Sequence, residues 1–487
     1  MSASAFLGID VGTSAVKALL TDAAGRVTAT AAAALDVDRP RPLWSEQDPD
    51  AWWRAVDRAV GELAAQGGTA SVRAIGLSGQ MHGATLLGAD ARPLRPAILW
   101  NDGRSEGACR TLERAEPRSR AITGNLAMPG FTAPKLVWLR EHEPRVFAAT
   151  RHVLLPKDYV RLRMTGEFAT DASDASGTLW LDVAARVWSE PMLAACGLGR
   201  DAMPAVFEGP AETGRLRAEV AQAWGMQRVP VAAGAGDQAA GAVGAGVIAP
   251  GAASLSLGTS GVLFAADDGF RPNPERAMHA FCHCLPGTWH QMAVILSAAS
   301  CLAWVRTATG AKSEAALLAE IQAADRVDPG LLFLPYLSGE RTPHNDAGAS
   351  GAFVGISAGT DRASLGRAVL EGVAFAFADC HDVLSEAGAN LDEISVIGGG
   401  ARSPLWGRIL ASALGRPLVY RQAGEVGPAL GAARLARLCA GDEPAAAVCT
   451  PPPIERVAEP DPLLRERYLP MLADFRELYR RLRRNPA

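Results

Sequence analysis

Net charge is scarce in this chain: 48 basic and 52 acidic residues in 487 leave only −4. So small an imbalance gives no reason to expect nucleic acid or an anionic membrane as a partner. Long apolar runs are also missing, since none reaches the ~18–20 residues that span a bilayer. No charged leader precedes the strand-like FLGID that starts at residue 6. We therefore expect a cytoplasmic protein that contacts neither nucleic acid nor membrane.

Cysteines are few for this length, eight in all, and they are scattered. The densest group lies in HAFCHCLPGTWH, residues 279–290, whose spacing fits no common zinc motif. Its CHC run alternates as in a strand, so neighbouring members face opposite sides. We expect a strand, a turn at Pro286-Gly287 and a second strand. Reduced and mostly buried thiols fit the cytoplasmic expectation.

A length of 487 residues predicts two to four domains, and an internal repeat divides the chain near its middle. LGIDVGTSAVKALLTDAAG (residues 7–25) is echoed by LSLGTSGVLFAADDG (residues 255–269), each typical of two strands and a closing Asp/Gly hairpin. AAGAVGAGVIA and PALGAARLA, which start at Ala239 and Pro428, form a second echo. Their small residues indicate two helices that approach closely near the junction of the halves.

The two Gly-Thr-Ser turns suit phosphate, because glycine lets backbone N–H groups come close and the hydroxyls add donors. Asp10 in the first hairpin corresponds to Ser256 in the second, so only one side carries a carboxylate. Lys17 follows Thr13 by four residues. The pair of turns favours a polyphosphate held between two domains, and two ordinary hairpin turns are the alternative.

Two further glycine-rich stretches stand out. ISVIGGGARSPLW (residues 394–406) predicts a strand, three glycines and a helix that begins at Ser403-Pro404. It is neither GxGxxG nor a Walker A loop, and either a plain turn or a nucleotide-binding turn fits it. GAGDQAAGAVG (residues 234–244) places one acid, Asp237, among small residues. That acid either caps a helix or does chemistry in space cleared by its neighbours.

Together these motifs resemble the sugar kinases of the FGGY family. MPGFTAPKLVWLREH (residues 128–142) and GAFVGISAGTDRASLGRAVLEGVAFAF (residues 351–377) resemble the two family signatures. Within the family, the amino-acid sequence from Phe6 to about Arg434 is similar to that of bacterial xylulokinases. The stretches that carry this likeness include PLWSEQDPDAWW, GLSGQMHGATLL, RPAILWNDGRS, SDASGTLWLDV and FLPYLSGERTPHN.

The resemblance implies an α/β fold of two RNase H-like domains of the actin/Hsp70/hexokinase (ASKHA) type, which flank a deep cleft. We expect an N-terminal half, residues 1–246, that binds the sugar, and a C-terminal half, residues 247–487, that binds the nucleotide. The implied reaction is the ATP- and Mg²⁺-dependent phosphorylation of D-xylulose, in a monomer or a homodimer. The alternatives are a kinase for another ketopentose or pentitol, such as D-ribulose or D-arabitol, and a non-catalytic actin-like ATP-binding protein.

The family's roles transfer to individual residues here. Asp237 is the expected general base, with its pKa lowered by the start of a helix. Asp10 is the expected Mg²⁺ residue, acting through water. The expected ATP-binding residues are Gly12, Thr13, Ser14, Lys17, Gly258, Thr259, Gly399 and Gly400. The expected sugar-binding residues are Met81, His82, Trp100, Asp102, Asp237 and Gln238, the last standing where xylulokinases usually carry Asn.

Other conspicuous residues have structural interpretations. Trp52 and Trp53 indicate the packed face of a helix, and Glu340 with Arg341 indicates a fixed loop.

Overall fold

The computed structural model describes residues 4–422 and 427–483. Groups of strands and groups of helices follow one another along this part of the chain. The strands are β1 (Ala5–Val11), β2 (Ala15–Asp22), β3 (Val27–Ala34), β4 (Glu46–Gln47), β5 (Val72–Gly79), β6 (Thr85–Leu87), β7 (Ala97–Ile98), β8 (His152–Leu154), β9 (Ala169–Asp171), β10 (Leu181–Asp182), β11 (Val187–Trp188), β12 (Ala205–Phe207), β13 (Glu212–Arg215), β14 (Pro230–Ala232), β15 (Ala235–Gly236), β16 (Ala252–Leu257), β17 (Gly261–Asp267), β18 (His279–Cys282), β19 (Trp289–Ile295), β20 (Leu332–Leu334), β21 (Ala352–Val354), β22 (Glu393–Ile397), β23 (Leu418–Arg421) and β24 (Ile454–Ala458).

The α-helices connect these strands and cover their faces. They are α1 (Pro49–Ala65), α2 (Glu106–Ala115), α3 (Ser119–Thr123), α4 (Thr132–His142), α5 (Pro144–Ala149), α6 (Pro156–Thr165), α7 (Ala172–Ser176), α8 (Glu190–Ala195), α9 (Ala218–Ala223), α10 (Asp237–Ala245), α11 (Ala299–Ala308), α12 (Glu314–Ala324), α13 (Arg362–Glu386), α14 (Pro404–Leu414), α15 (Pro428–Ala440), α16 (Ala445–Val448) and α17 (Pro462–Leu482). Across residues 4–422 and 427–483, no helix combines the length and the apolar character that crossing a membrane requires.

The N-terminal half is built on a mixed sheet in the order β13-β14-β5-β1-β2-β3, with β15 beside β5. Every residue of β1 is buried, because helices cover both faces of the sheet. Leu7 and Ile9 share a core with Val56 of α1, whereas Phe6 packs with Ala436 of α15. Trp52 of α1 belongs to the same hydrophobic core as Leu7 and Ile9 and is fully buried, which confirms its structural interpretation.

The C-terminal half repeats this plan in the order β18-β19-β17-β16-β22-β23-β24. In both halves a hairpin, β1–β2 or β16–β17, lies beside a parallel strand, β5 or β22. The predicted repeat is therefore confirmed at the level of strand pairing. One detail of it is wrong. After Gly269 the chain does not fold back as a hairpin, because β17 pairs with β19 while β18 forms the sheet edge.

The cysteine- and histidine-containing stretch forms the predicted strand–turn–strand. β18 and β19 are antiparallel, with Cys282 opposite Trp289, and Gly287 in the turn has a φ of 63°. All eight cysteines are free thiols, and seven of them are buried. Residues 4–422 and 427–483 contain no cluster of three or more His, Cys, Asp or Glu side chains that could hold a metal ion.

The predicted small-residue helices cross where the halves meet. A Cβ on Gly431 of α15 would lie 1.8 Å from the carbonyl oxygen of Ala240 in α10, so only glycine permits this approach. On its other side α15 packs against the N-terminal sheet, where a Cβ on Gly76 would lie 1.8 Å from the Ala432 oxygen. A helix from the C-terminal half thus completes the core of the N-terminal half. The boundary at residue 246 stays a prediction.

Candidate active site

Two carboxylates lie at one edge of the N-terminal sheet, on either side of β5. The register pairs Asp10 of β1 with Ser78 of β5, and Ala235 of β15 with the same Ser78. Asp237 follows β15 directly as the first residue of α10. Because β1, β5 and β15 run parallel, their carboxyl ends bring Asp10 and Asp237 to the same edge.

Asp10 is held at the end of β1 with only 9% of its surface exposed. The Ser78 hydroxyl donates to its Oδ1 at 3.1 Å. Lys17 lies opposite it on β2, on the same face of the sheet. Burial raises the pKa of Asp10 to about 6, while the Ser78 hydrogen bond and the Lys17 charge act in the opposite direction. At neutral pH the group is mainly ionised, at a cost that a bound cation would offset.

Asp237 is half-buried at the start of α10. Desolvation and the nearby charge of Asp10 raise its pKa to about 7, while hydrogen bonds from the backbone and side chain of Gln238 oppose the rise. The expectation of a lowered pKa is therefore wrong. Burial and a like charge outweigh the helix terminus. The helix cap itself is Gly236, so Asp237 does not act as the N-cap of α10.

The first Gly-Thr-Ser turn is fastened by side chains from distant segments. The Thr13 hydroxyl donates to Gln80 Oε1 at 2.9 Å and accepts from Trp100 Nε1 at 3.0 Å. The Gln47 amide donates to the Thr13 carbonyl oxygen at 2.7 Å. Ser14 and Lys17 remain exposed. The turn is thus rigid on the protein side and open on the other.

The second Gly-Thr-Ser turn rests on the start of α11. The Ser300 hydroxyl and the Ala298 N–H both donate to the Thr259 carbonyl oxygen, at 2.7 and 2.9 Å. The Ala299 N–H donates to the Gly258 carbonyl oxygen at 2.8 Å. The Thr259 side chain is exposed. Two backbone N–H groups and the Ser300 hydroxyl, all at the start of one helix, therefore do here what side chains from distant segments do in the first turn.

The three-glycine turn lies against the strand that leads to Gly258. Gly398 adopts a φ of 97°, and a Cβ on it would lie 2.8 Å from the Leu257 carbonyl oxygen. Gly399 and Gly400 follow in a short 3₁₀ turn. The Ser403 hydroxyl then caps α14 by accepting from Trp406 N, with Pro404 at the first helical position, as predicted. The structure thus places Gly398 and Gly400 against Leu257, the residue before Gly258.

Met81 and His82 form a loop beside the sheet edge that carries Asp10 and Asp237. A Cβ on Gly236 would lie 2.9 Å from Met81 Cγ, so Met81 packs against the residue that precedes Asp237. His82 has a φ of 69°, and its Nδ1 lies 2.6 Å from the Gly177 carbonyl oxygen. Burial lowers the pKa of His82 to about 3, so the ring is neutral. Nδ1 must then carry the proton, which leaves Nε2 as an acceptor.

Family models match both halves of the chain. The N-terminal domain of the FGGY family of carbohydrate kinases matches residues 5–244, and its C-terminal domain matches residues 253–439. The chain belongs to the FGGY family of carbohydrate kinases. It is 55% identical to a xylulose kinase of Escherichia coli K12 over 98% of this chain and 99% of that protein.

Solved structures agree with this family. A xyloylose kinase from Brucella ovis matches with a TM-score of 0.95 and 49% identity, covering 98% of this chain and 99% of that one. A glycerol kinase from Plasmodium falciparum shares the fold with a TM-score of 0.90 at 19% identity, covering 99% of each chain. The predicted two-domain ASKHA-type fold is confirmed, and as a carbohydrate kinase the protein transfers phosphoryl groups from ATP.

Two of the residues expected to bind sugar in this FGGY kinase have other partners. Trp100, 44% exposed, donates to Thr13 as described above, which ties it to the first phosphate turn. Asp102 is 2% exposed; its carboxylate forms an ion pair with Arg104 and accepts from Ser45 N at 2.6 Å. These contacts give Asp102 a structural role. Sugar binding by either residue stays a prediction.

The sequence interpretation passed over three polar residues that support the site. Ser78 binds Asp10, while Gln80 and Gln47 bind the first turn and each other, with 2.8 Å between Gln80 Nε2 and Gln47 Oε1. Gln80 and Gln47 lie in SGQMH and SEQDP, within stretches that carry the family likeness. A polar side chain at the carboxyl end of a buried strand or directly after it is the signal that could have identified Ser78, near the end of β5, and Gln80, which follows β5.

The structural interpretation of Glu340 and Arg341 is supported by their contacts. Glu340 accepts from the backbone N–H groups of Leu296 and Arg341, at 2.9 and 2.7 Å. Burial raises its pKa to about 8. Glu340 therefore fixes a loop of the C-terminal half, and Arg341 Nη1 lies 3.4 Å from His279 Nε2 of β18.

The residues around Asp10 fit a magnesium ion that arrives with its nucleotide. Asp10 stands without two further carboxylate, imidazole or thiolate ligands in the described chain. Mg²⁺ commonly binds proteins through one or two carboxylates and takes its other ligands from water and substrate phosphates. A raised pKa at Asp10 is consistent with a carboxylate that awaits a cation.

Proposed function

We propose that this FGGY kinase transfers the γ-phosphoryl group of ATP to the terminal hydroxyl of D-xylulose, giving D-xylulose 5-phosphate. The observation that carries the proposal is the convergence of Asp237 with the Met81–His82 loop at the carboxyl edge of β5. The 55% identity to a xylulose kinase over nearly the whole chain supports this choice of sugar. Xylose catabolism is the pathway in which we place it.

Asp237 is the proposed general base. Its carboxylate would accept the proton of the attacking hydroxyl as the bond to phosphorus forms. A pKa of about 7 suits this role, because the group is partly ionised at neutral pH and yet basic enough to take a proton. The two hydrogen bonds from Gln238 would orient the carboxylate, and Gln238 completes this side of the sugar site.

His82 and Met81 are the proposed contacts to the rest of the sugar. With its Nδ1 proton donated to Gly177, His82 can accept a hydrogen bond from a sugar hydroxyl through Nε2. Met81 would supply an apolar wall next to Gly236. Trp100 and Asp102 remain weaker proposals, because their polar groups already have partners within the protein.

The nucleotide would lie between the two hairpins. Gly12, Thr13, Ser14 and Lys17 would meet its phosphates from the N-terminal half, and Gly258 with Thr259 from the C-terminal half. Gly399 and Gly400 would support the adenosine. Asp10 would hold Mg²⁺ through water, and the ion would neutralise charge that develops on the phosphates.

Three broader features complete the proposal. The domain boundary at residue 246 lies at Gly246, which ends α10 in the left-handed conformation. Eight free thiols suit a reducing, cytoplasmic compartment. A homodimer remains part of the proposal, to be tested by the mass of the protein in solution.

A coupled ADP-release assay across a panel of acceptors tests the function. We expect kcat/KM for D-xylulose to exceed that for D-ribulose, D-arabitol and glycerol by at least ~10-fold. Higher kcat/KM with D-ribulose or D-arabitol would replace D-xylulose with that acceptor. ATP binding without turnover on any acceptor would instead favour the non-catalytic ATP-binding alternative.

A further inference from the structure

We infer that the buried segment Asp171–Gly177 is a positioning turn that sets the geometry of two loops. These are the catalytic loop, Gly236 with Asp237, and the sugar loop, Met81 with His82. Ser173 is its positioning residue for Asp237. This inference rests on the proposed function and adds a group that does not touch substrate. The segment consists of the last residue of β9, the short helix α7 and Gly177, and all of it is buried.

Ser173 contacts the catalytic loop directly. The Gly236 N–H donates to Ser173 Oγ at 3.1 Å, across 63 residues of sequence. Gly236 is the N-cap of α10, and Asp237 is the next residue. The position of the Gly236 peptide therefore determines where the Asp237 carboxylate begins. Ser173 itself is fully buried, so water cannot replace its hydroxyl in this bond.

The Ser173 hydroxyl is oriented by Asp171. It donates to Asp171 Oδ2, which also accepts from Ser173 N at 2.7 Å. The proton thus points at Asp171, and a lone pair of the oxygen faces Gly236 N–H. Asp171 is held in turn by Lys157, whose Nζ lies 3.0 Å from Asp171 Oδ1. The buried ion pair between Lys157 and Asp171 thus fixes the orientation of the Ser173 hydroxyl.

Lys157 is the centre of a fully buried charge cluster that also holds the strand before the catalytic loop. Its Nζ lies 2.6 Å from Asp158 Oδ1 and 3.1 Å from Asp174 Oδ2. Arg161, beside Asp158, donates to the carbonyl oxygens of Ala232 and Ala233. The chain that leads to Asp237 is therefore anchored to one cluster at residues 232, 233 and 236. Burial raises the pKa of Asp174 well above its usual range.

The other end of the positioning turn holds the sugar loop. The Gly177 carbonyl oxygen accepts from His82 Nδ1. One turn of chain thus bonds to the residue before the proposed base and to the proposed sugar-binding imidazole. The separation between base and sugar loop is set by this segment. Small errors in such geometry are costly, because displacements of about 1 Å can lower turnover ~10²-fold.

The test compares Ser173→Ala with Ser412→Ala in the full-length enzyme. Ser412 is an equally buried serine whose hydroxyl donates to Arg408 O and accepts from Asp461 N at 3.0 Å, in the C-terminal half. Both changes remove a hydroxyl that bridges two backbone or carboxylate groups. Only Ser173 leads to the catalytic loop. D-xylulose-dependent turnover, sugar-free ATP hydrolysis and ATP-binding stoichiometry are measured for wild type and both variants.

We expect Ser173→Ala to lower the D-xylulose-dependent kcat about 10–100-fold. KM for ATP should stay within about twofold, and the ratio of sugar-dependent to sugar-free turnover should fall at least ~5-fold. A displaced Asp237 carboxylate can no longer accept the proton of the sugar hydroxyl, which is held in place by the rest of the sugar site. Water is not held in this way, so it can reorient toward the displaced carboxylate. Ser412→Ala should leave this ratio unchanged. Equal loss of both activities in Ser173→Ala, or a kcat like that of Ser412→Ala, overturns the inference.

Two further outcomes are decided in advance. If Ser173→Ala does not bind one ATP per chain, Ser173→Cys decides. Its thiol leaves no cavity, being slightly larger than the hydroxyl, but accepts hydrogen bonds weakly, and an unchanged coupling ratio in Ser173→Cys overturns the inference. If wild type turns over no D-xylulose, the proposed function fails and the inference fails with it. Wild-type turnover with a normal Ser173→Ala ratio overturns the inference alone.

Discussion

In the first hairpin the strand before the Gly-Thr-Ser turn carries Asp10, buried and bound by Ser78 of the parallel strand, whereas the second hairpin has Ser256 opposite Ile397. The strands pair alike in both halves. The side chains around the turns differ, because Thr13 is bound by two glutamines and a tryptophan, while the backbone of the second turn rests on α11.

The two halves thus share their strand pairing but differ in the side chains that could take part in a reaction. Both halves present a glycine turn at the end of a hairpin, which suits a phosphate chain from either side. Only the N-terminal half adds carboxylates, Asp10 and Asp237, and both have pKa values raised by burial. In the proposed function the two halves would therefore share phosphate binding, while metal binding and proton removal would belong to the N-terminal half.

Removal of the proposed base should have the largest effect on this asymmetry. Asp237→Asn keeps the size of the side chain and removes its ability to take a proton. We expect kcat to fall at least ~10²-fold, with ATP binding unchanged in calorimetry. Near-normal turnover would contradict the role of Asp237 as the base.

Matched changes at the equivalent hairpin positions come next. Asp10→Asn should lower kcat about 10–100-fold and raise the Mg²⁺ concentration needed for half-maximal rate, because a neutral amide binds the cation poorly. Ser256→Ala should change kcat less than ~3-fold. Magnesium titrations of the two variants measure the comparison directly. Equal effects at both positions would mean that the asymmetry does not govern metal binding.

The raised carboxyl pKa values also predict how stability depends on pH. Folded Asp237 keeps its proton to about pH 7, whereas the unfolded chain loses it near 3.8. The folded state therefore binds more protons between these values, and stability falls as pH rises through this window. At pH 8, Asp237→Asn should melt about 1–4 °C above wild type, with a smaller difference at pH 5. A lower melting temperature at pH 8 would contradict a buried, costly carboxylate.

The smallest effect is expected at Trp100. Trp100→Phe keeps an aromatic face and removes the hydrogen bond to Thr13 Oγ1. If the ring serves the first phosphate turn, KM for ATP should rise about 2–5-fold with KM for the sugar unchanged. The opposite pattern would place Trp100 in the sugar site, as the motif first indicated.

Much of the local structure could be predicted from particular residues. Ser403-Pro404 marked the start of α14, Pro286-Gly287 marked the β18–β19 turn, and the two small-residue runs marked crossing helices. These signals are local, because caps, turns and close packing depend on residue types a few positions apart. The pairing after Gly269 was predicted wrongly, because either of the two following strands, β18 or β19, could lie beside β17. Only tertiary packing selects β19.

The sequence named candidate residues for the site, whose roles stay predictions, and it did not predict their energetics. The sequence by itself determined two Gly-Thr-Ser hairpins, one acid at position 10, and one acid among small residues at 237. Only the tertiary structure decided that Asp237 has a raised pKa, that Trp100 binds Thr13 87 residues away, and that Ser173 holds Gly236. Desolvation and long-range hydrogen bonds depend on which distant segments fold over a residue, and local sequence carries no record of that.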